Sequence, residues 1–195
     1  MISVEERRVQ WKRTPRGDRM TKDLKLDLEA IRRRAREQMK NGALTSANTM
    51  DQTKLVAVLQ DALATELVCV ARYKAHAYAA KGARGELAAA EFLEHAAEEQ
   101  QHADQIADRI DQLGGIPDLD PAGLTKRSHT EFRTGISLQV LLTEDLVAER
   151  IAIETYTEII RWIDDGDPTT RRMLEEILAK EEEHADDIAR LLSSD

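Results

Sequence analysis

The chain has one cysteine, Cys69, among its 195 residues. No disulfide framework can form within it, and a reducing, cytoplasmic setting is expected. It has no apolar run near the roughly 18 to 20 residues that a bilayer-spanning helix needs, so no membrane partner is expected. The opening MISVEERRVQWKR has no apolar stretch of the kind a secretory signal requires. Aromatic residues make up only 4%, and there are four prolines and nine glycines. Ala, Leu, Glu and Arg abound instead, a composition that favours helices. No segment alternates apolar and polar residues as a half-buried strand does. The length suffices for one sizeable core and an appendage.

Charge is distributed unevenly. Residues 1–50 carry 13 Lys/Arg against 7 Asp/Glu, a net of +6, whereas residues 51–195 carry a net of −15. A basic arm (1–50) on an acidic body (51–195) predicts a segment that meets something anionic, or else a solvated tail. Within the arm, Thr21 to Lys40 predicts a helix with Leu24, Leu28 and Ile31 on one face and the run Arg32-Arg33-Arg34-Ala35-Arg36 making it basic. The following KNGALTSAN reads as a linker.

Four long helices are expected after residue 50. The first runs from about Asp51 to Ala80, with Thr49 and Gln52 as a capping box and Gly82 just past its end. The second runs from about Gly85 to Leu113 and stops at Gly114-Gly115-Ile116-Pro117. Residues 114–136 form a long connection. The third runs from about Ser137 to Asp164. The fourth opens on Asp167-Pro168, an N-cap followed by proline at the first helical position, and continues close to the C-terminus. Two short connections and one long one predict an all-α four-helix bundle in which the long segment crosses the length of the bundle, the ferritin-like pattern.

The apolar stripe of each helix is interrupted by polar residues. The stripes read Leu55, Leu59, Leu63, Glu66, Val70, Tyr73; then Phe92, His95, Glu99, His102, Ile106, Ile110, Leu113; then Leu138, Leu142, Asp145, Glu149, Ala152, Tyr156, Ile159; then Leu174, Ile177, Glu181, His184, Ile188, Leu191. Each helix thus places a carboxylate in the middle of its buried face. Four carboxylates buried together without cations would cost several kcal/mol per charge. The stripes contain no Lys or Arg, so metal ions are the remaining solution. A Glu from each of two helices plus Glu-x-x-His from each of the other two is a ligand set for two-metal bundles.

The halves also mirror one another. Glu66 precedes Tyr73 by seven residues, as Glu149 precedes Tyr156, and both second motifs read E-x-x-H-A-D, at Glu99–Asp104 and Glu181–Asp186. One E-x-x-H says little in a chain this rich in glutamate; the matched spacings and stripe positions together point to a pseudo-two-fold site. Asp145, one turn before Glu149, is a candidate to hold a ligand histidine by its second ring nitrogen, or else makes an ordinary buried hydrogen bond. Tyr73 and Tyr156 either bond the bridging carboxylates or are core tyrosines. His95 reads as a core or metal-access residue rather than a ligand. Glu144, Glu182 and Glu183 read as solvated.

The segments ALATELVCVARYKAH, EEQQHADQIADRI, LLTEDLVAERIAIETY and ILAKEEEHADDIARLL resemble the four site helices of bacterioferritins and of Dps-like proteins with a bacterioferritin-type site. The resemblance covers roughly residues 52–193. It implies a ferroxidase in which two Fe²⁺ bind within one subunit, dioxygen or peroxide oxidises them, and ferric mineral collects inside a homo-oligomeric shell. It also implies that Glu66, Glu99, His102, Glu149, Glu181 and His184 are the ligands, without saying which glutamates bridge. Bacterioferritins carry a haem-ligating Met directly after the Glu of the first E-x-x-H; here Gln100 stands there, so no haem is expected. They continue into a short fifth helix where this chain ends at Asp195, which favours a 12-subunit over a 24-subunit shell. The basic arm resembles the DNA-binding tails of Dps proteins. Oxygen-and-nitrogen ligation suits Fe or Mn, with Zn a possible substitute, so a manganese catalase and a DNA-binding protective protein with a secondary metal site stand as alternatives.

Overall fold

The computed structural model describes residues 24–37 and 39–193. Among them are six α-helices, a short 3₁₀ turn at Met39–Asn41 and no strand. The helices are α1 (Leu28–Glu37), α2 (Gln52–Ala79), α3 (Gly82–Gln112), α4 (Pro121–Arg127), α5 (Leu138–Ile163) and α6 (Pro168–Ser193).

The chain divides into two compact units, Met1–Gln38 and Met39–Asp195. In the first, α1 is shorter than the expected Thr21–Lys40. It starts where the Asp27 carboxylate accepts the Ala30 N–H at 2.9 Å, and none of its residues is buried. Residues 21–23 and 38 of the expected helix lie outside the described residues. The boundary at Met39 gives residues 39–50, read above as arm and linker, to the bundle unit. Thr49 N–H donates to Gly166 O at 3.0 Å and Asn48 Nδ2 to Asp167 Oδ2 at 2.9 Å.

In the second unit, α2 begins two residues later than a Thr49 cap would place it. Asp51 is the N-cap, accepting from Thr53 N and Lys54 N, while the Gln52 side chain turns back to Asn48 and Met50. A carboxylate suits the partial positive charge of a helix start better than the expected hydroxyl. Between α2 and α3 lie only Ala80 and Lys81, and Gly82 takes φ +79°, a conformation a side chain would strain. So α3 starts three residues before the expected Gly85.

The long connection crosses as expected, and its path can be followed along α2. Gln60 bonds the backbone at Ile116 and Asp118, Thr65 the backbone and ring of His129, Arg72 the Thr130 hydroxyl, and His76 the Arg133 carbonyl. The segment contains α4, which the sequence reading missed. Asp120 caps it with proline at the first position, the same Asp-Pro signal that opens α6. α5 then starts beside the end of α2 and runs antiparallel to it.

The close backbone packing is within the pairs α2–α3 and α5–α6, so the bundle is two hairpins face to face. Every expected stripe residue is buried except Leu138 and Leu191, which are half-buried at helix ends. The core forms two apolar clusters. One includes Leu55, Leu59, Ile106, Ile159 and Ile177; the other includes Tyr73, Phe92, Leu142 and Ile188. The polar stripe residues fall between them.

Candidate metal centre

Glu66 comes from α2, Glu99 and His102 from α3, Glu149 from α5, Glu181 and His184 from α6, and all six are buried. Helical spacing of three places each Glu-x-x-His pair on one face. His102 Nδ1 lies 3.2 Å from Glu99 Oε2, 3.0 Å from Glu181 Oε1 and 3.4 Å from Glu66 Oε2. His184 Nδ1 lies 3.5 Å from Glu99 Oε1 and 3.9 Å from both Glu149 Oε2 and Glu181 Oε2. Their donor atoms fall into two sets of four, each set within 4.8 Å: Glu66, Glu99, His102, Glu181 and Glu99, Glu149, Glu181, His184. Glu99 and Glu181 belong to both.

The tyrosines aim the two unshared carboxylates. Tyr156 donates a short hydrogen bond to Glu66 Oε1, and Tyr73 does the same to Glu149 Oε1. The other oxygen of each, Glu66 Oε2 and Glu149 Oε2, faces the centre with no hydrogen-bond partner. Glu99 Oε1, Glu181 Oε1 and His184 Nδ1 are likewise buried and unpartnered. Buried acceptors are rarely left orphaned, and five converging on one point fit the donor set for a pair of divalent cations. Four carboxylates and two such ions also sum to no net charge.

Without metal, protons take over the compensation. Burial and the Glu99 charge push the Glu66 carboxyl up to about 8. Glu149 and Glu181 are raised for the same reasons, Glu181 strongly. Burial also opposes charge on Glu99, yet the close approach of His102, His184 and Glu66 holds it well below the carboxylate range. Against the same burial, Glu66 and Glu99 raise His102 to about 10, and Glu99 foremost raises His184 to about 9.

Asp145 does not hold a ligand histidine. Its oxygens take Arg72 Nε at 3.0 Å and His76 Nδ1 at 2.7 Å, a buried cluster in which Arg72 also reaches Cys69 and Thr130. The outer partner of His184 is Glu98, whose Oε2 lies 2.7 Å from Nε2 and which is tied in turn to Lys180 at 3.3 Å. The sequence reading missed Glu98, Arg72 and His76. Glu98 and Arg72 each lie one residue off a stripe, so periodicity carries no signal for them. Glu144 is half-buried, while Glu182 and Glu183 are exposed. A cleft of about 180 Å³ opens onto His102 between α3 and α6, lined by Glu98, Gln101, Gln105, Glu176, Ile177 and Lys180.

His95 stays out of both sets. Its ring stacks on His184 at 4.1 Å between centroids and meets Tyr73 edge-on at 5.2 Å. Burial and the neighbouring His184 lower it to about 4, so it is neutral.

Known proteins resemble this chain in sequence and fold. The ferritin-like domain family matches residues 56–195. A bacterioferritin of Desulfovibrio desulfuricans is 32% identical over 135 residues, covering 68% of this chain and 71% of its own. The solved structure of D. desulfuricans bacterioferritin, described by its diiron site, superposes with a TM-score of 0.65 at 27% identity, over 73% of this chain and 80% of that one. The dodecameric thioferritin of Bacteroides fragilis, a bacterioferritin-related protein, superposes at 0.71 with 35% identity, over 74% and 88%. A nutrient stress-induced DNA-binding protein of Synechococcus is 28% identical over 140 residues, covering 70% and 80%. With the fold, the paired E-x-x-H motifs and these relatives in agreement, the chain belongs to the ferritin-like family and is of the bacterioferritin/Dps type.

Proposed function

We propose that the protein is a ferroxidase that stores iron, with Fe²⁺ as substrate and cargo. The observation that carries the reading is the pair of overlapping four-donor sets sharing Glu99 and Glu181. In this reading Glu66 and His102 hold one Fe²⁺, Glu149 and His184 the other, and Glu99 and Glu181 bridge. Each Fe²⁺ gives up one electron. The pair reduces dioxygen to peroxide, or peroxide to water, with two protons consumed. The tyrosine bonds keep the unshared carboxylates aimed, so the centre is preorganised. Gln100 carries no sulfur for a haem iron. Assembly into a shell, with twelve subunits favoured, draws support from the dodecameric neighbour.

The test is stopped-flow oxidation of Fe²⁺ by air. A fast phase of about two Fe²⁺ per subunit is expected, lost in Glu99→Ala and His184→Ala while the helical signal remains. Wild-type rates in both variants would remove the assignment.

A second reading concerns residues 1–50, and their charge favours it. The arm binds DNA without base specificity, and an acidic body leaves that task to the arm. Many arms on one shell would add avidity, and one relative is named for DNA binding. Deleting residues 1–38 spares the Asn48 and Thr49 contacts. Loss of a salt-sensitive DNA gel shift with the assembly intact supports the reading. Collapse of the assembly, with no shift by the full chain at about 20 mM salt, makes the arm structural.

A further inference from the structure

Beside the binuclear centre, on the same pair of helices that carries the E-x-x-H motifs, lies a second constellation. Glu91 and His95 come from α3 and Asp187 from α6. One donor atom from each lies within 4.8 Å of the others. His95 is 2% exposed, yet its Nδ1 has no hydrogen-bond partner and its Nε2 has only a 3.4 Å approach to Glu91 Oε1. A buried imidazole with one nitrogen unpartnered and the other only loosely approached by a carboxylate is costly to bury. Its packing on His184 and Tyr73 explains where the ring sits but not why it is a histidine. The two carboxylates are half-buried, so the group is open to solvent on one side.

We infer that Glu91, His95 and Asp187 form a third, mononuclear site for a divalent first-row cation. One imidazole nitrogen and two carboxylate oxygens are a donor set that Fe²⁺, Zn²⁺ or Co²⁺ accepts, with remaining positions left to water. Three protein ligands and an open side suit an ion that comes and goes. Asp187 Oδ1 already accepts from Arg190 Nη1 at 2.8 Å, so Oδ2 is the oxygen available to the ion, and the Arg190 charge weakens the site. It therefore holds its ion less tightly than the centre next door. The stacked rings of His95 and His184 put this ion one aromatic layer away from the binuclear pair, so the site stages cations beside the centre rather than within it.

The assignment does not depend on ferroxidase activity, and its test is resolved by position. Crystals of the full chain soaked in Zn²⁺ or Co²⁺ are measured above and below the metal's absorption edge. The expected result is an anomalous peak about 2.0–2.3 Å from donor atoms of Glu91, His95 and Asp187, separate from any peaks among the six central ligands. In the Glu91→Gln/Asp187→Asn double variant that peak should vanish while the central peaks keep their heights. Both substitutions are at half-exposed positions and nearly isosteric, so folding is retained. No peak at the position in the wild type at saturating metal, or an equal peak in the double variant, overturns the inference. Peaks at the centre alone would leave the proposed ferroxidase standing and this site refuted; a peak here alone would do the reverse.

Discussion

Loading the candidate metal centre of chelator-treated protein with a redox-inert cation should expel about three or more protons per pair of ions at pH 7. His102 at about 10 and His184 at about 9 are both protonated at that pH, as is most of Glu66 at about 8. A ligand must shed its proton to bind, so each of the three releases one. Glu149 and Glu181, also raised, add to the count. Protons and metal compete, so affinity strengthens as pH rises. The logarithm of the two-ion binding constant should climb by about three per pH unit near neutrality and flatten as pH passes about 8, 9 and 10 in turn. Zinc titration calorimetry in buffers of different ionisation enthalpy reads the proton number directly, with no oxidation to confuse it. A release near zero at pH 7 would mean that the two imidazoles are already neutral, and the charge reasoning would fail.

Stability of the metal-free protein should fall as pH rises. The folded-state values of His102, His184 and Glu66 all lie above their ordinary ones, so each contribution is full below the unfolded value and is lost as pH rises to the folded one, between about pH 4.5 and 8 for Glu66 and between about pH 6.5 and 10 for the histidines. Thermal melts across that range check this, and the zinc-loaded protein should show much less decline. Glu98→Ala frees the outer nitrogen of His184 and should weaken the Glu149–His184 half about 10- to 100-fold in metal affinity; equal affinities in a zinc competition assay would rule this out. Arg72→Met leaves Asp145 buried with only His76 and should cost about 3–5 kcal/mol in urea unfolding, and a cost below about 1 kcal/mol would make the cluster incidental. Tyr156→Phe removes the donor to Glu66 and should cost about 1–3 kcal/mol, read by the same melts; an unchanged melting temperature would mean that the hydroxyl does not hold that carboxylate.

The bundle and its buried Glu/His cluster were legible because one signal, polar residues interrupting apolar stripes, serves both. Glu66, Glu99, Glu149 and Glu181 stand where leucine would otherwise be, and period alone puts them in one layer. Residues off the stripes carry no such mark. Glu98 sits next to Glu99 and looks like the solvated Glu182 next to Glu181; only the position of His184 on another helix distinguishes them. Asp145 was rightly read as buried, but its partner depends on how far α5 slides along α2, which no local pattern sets. That Glu99 and Glu181 fall in both donor sets was equally out of reach, because sharing is a property of four helices at once. The missed α4 is different. Its Asp120-Pro121 start was readable, and the length of the connection obscured it.

The two hairpins have a consequence for how the molecule forms. Backbone packing is close within each pair of helices, and the polar links run mostly between the pairs: Tyr73 to Glu149, Tyr156 to Glu66, Arg72 to Asp145, Glu98 to His184, Arg109 to Asp167. Either hairpin can zip up from local contacts, but their mating buries all of these groups together. Mating is therefore the step at which these charges leave water. Dissolved cations and acidity should change its speed far more than that of hairpin formation.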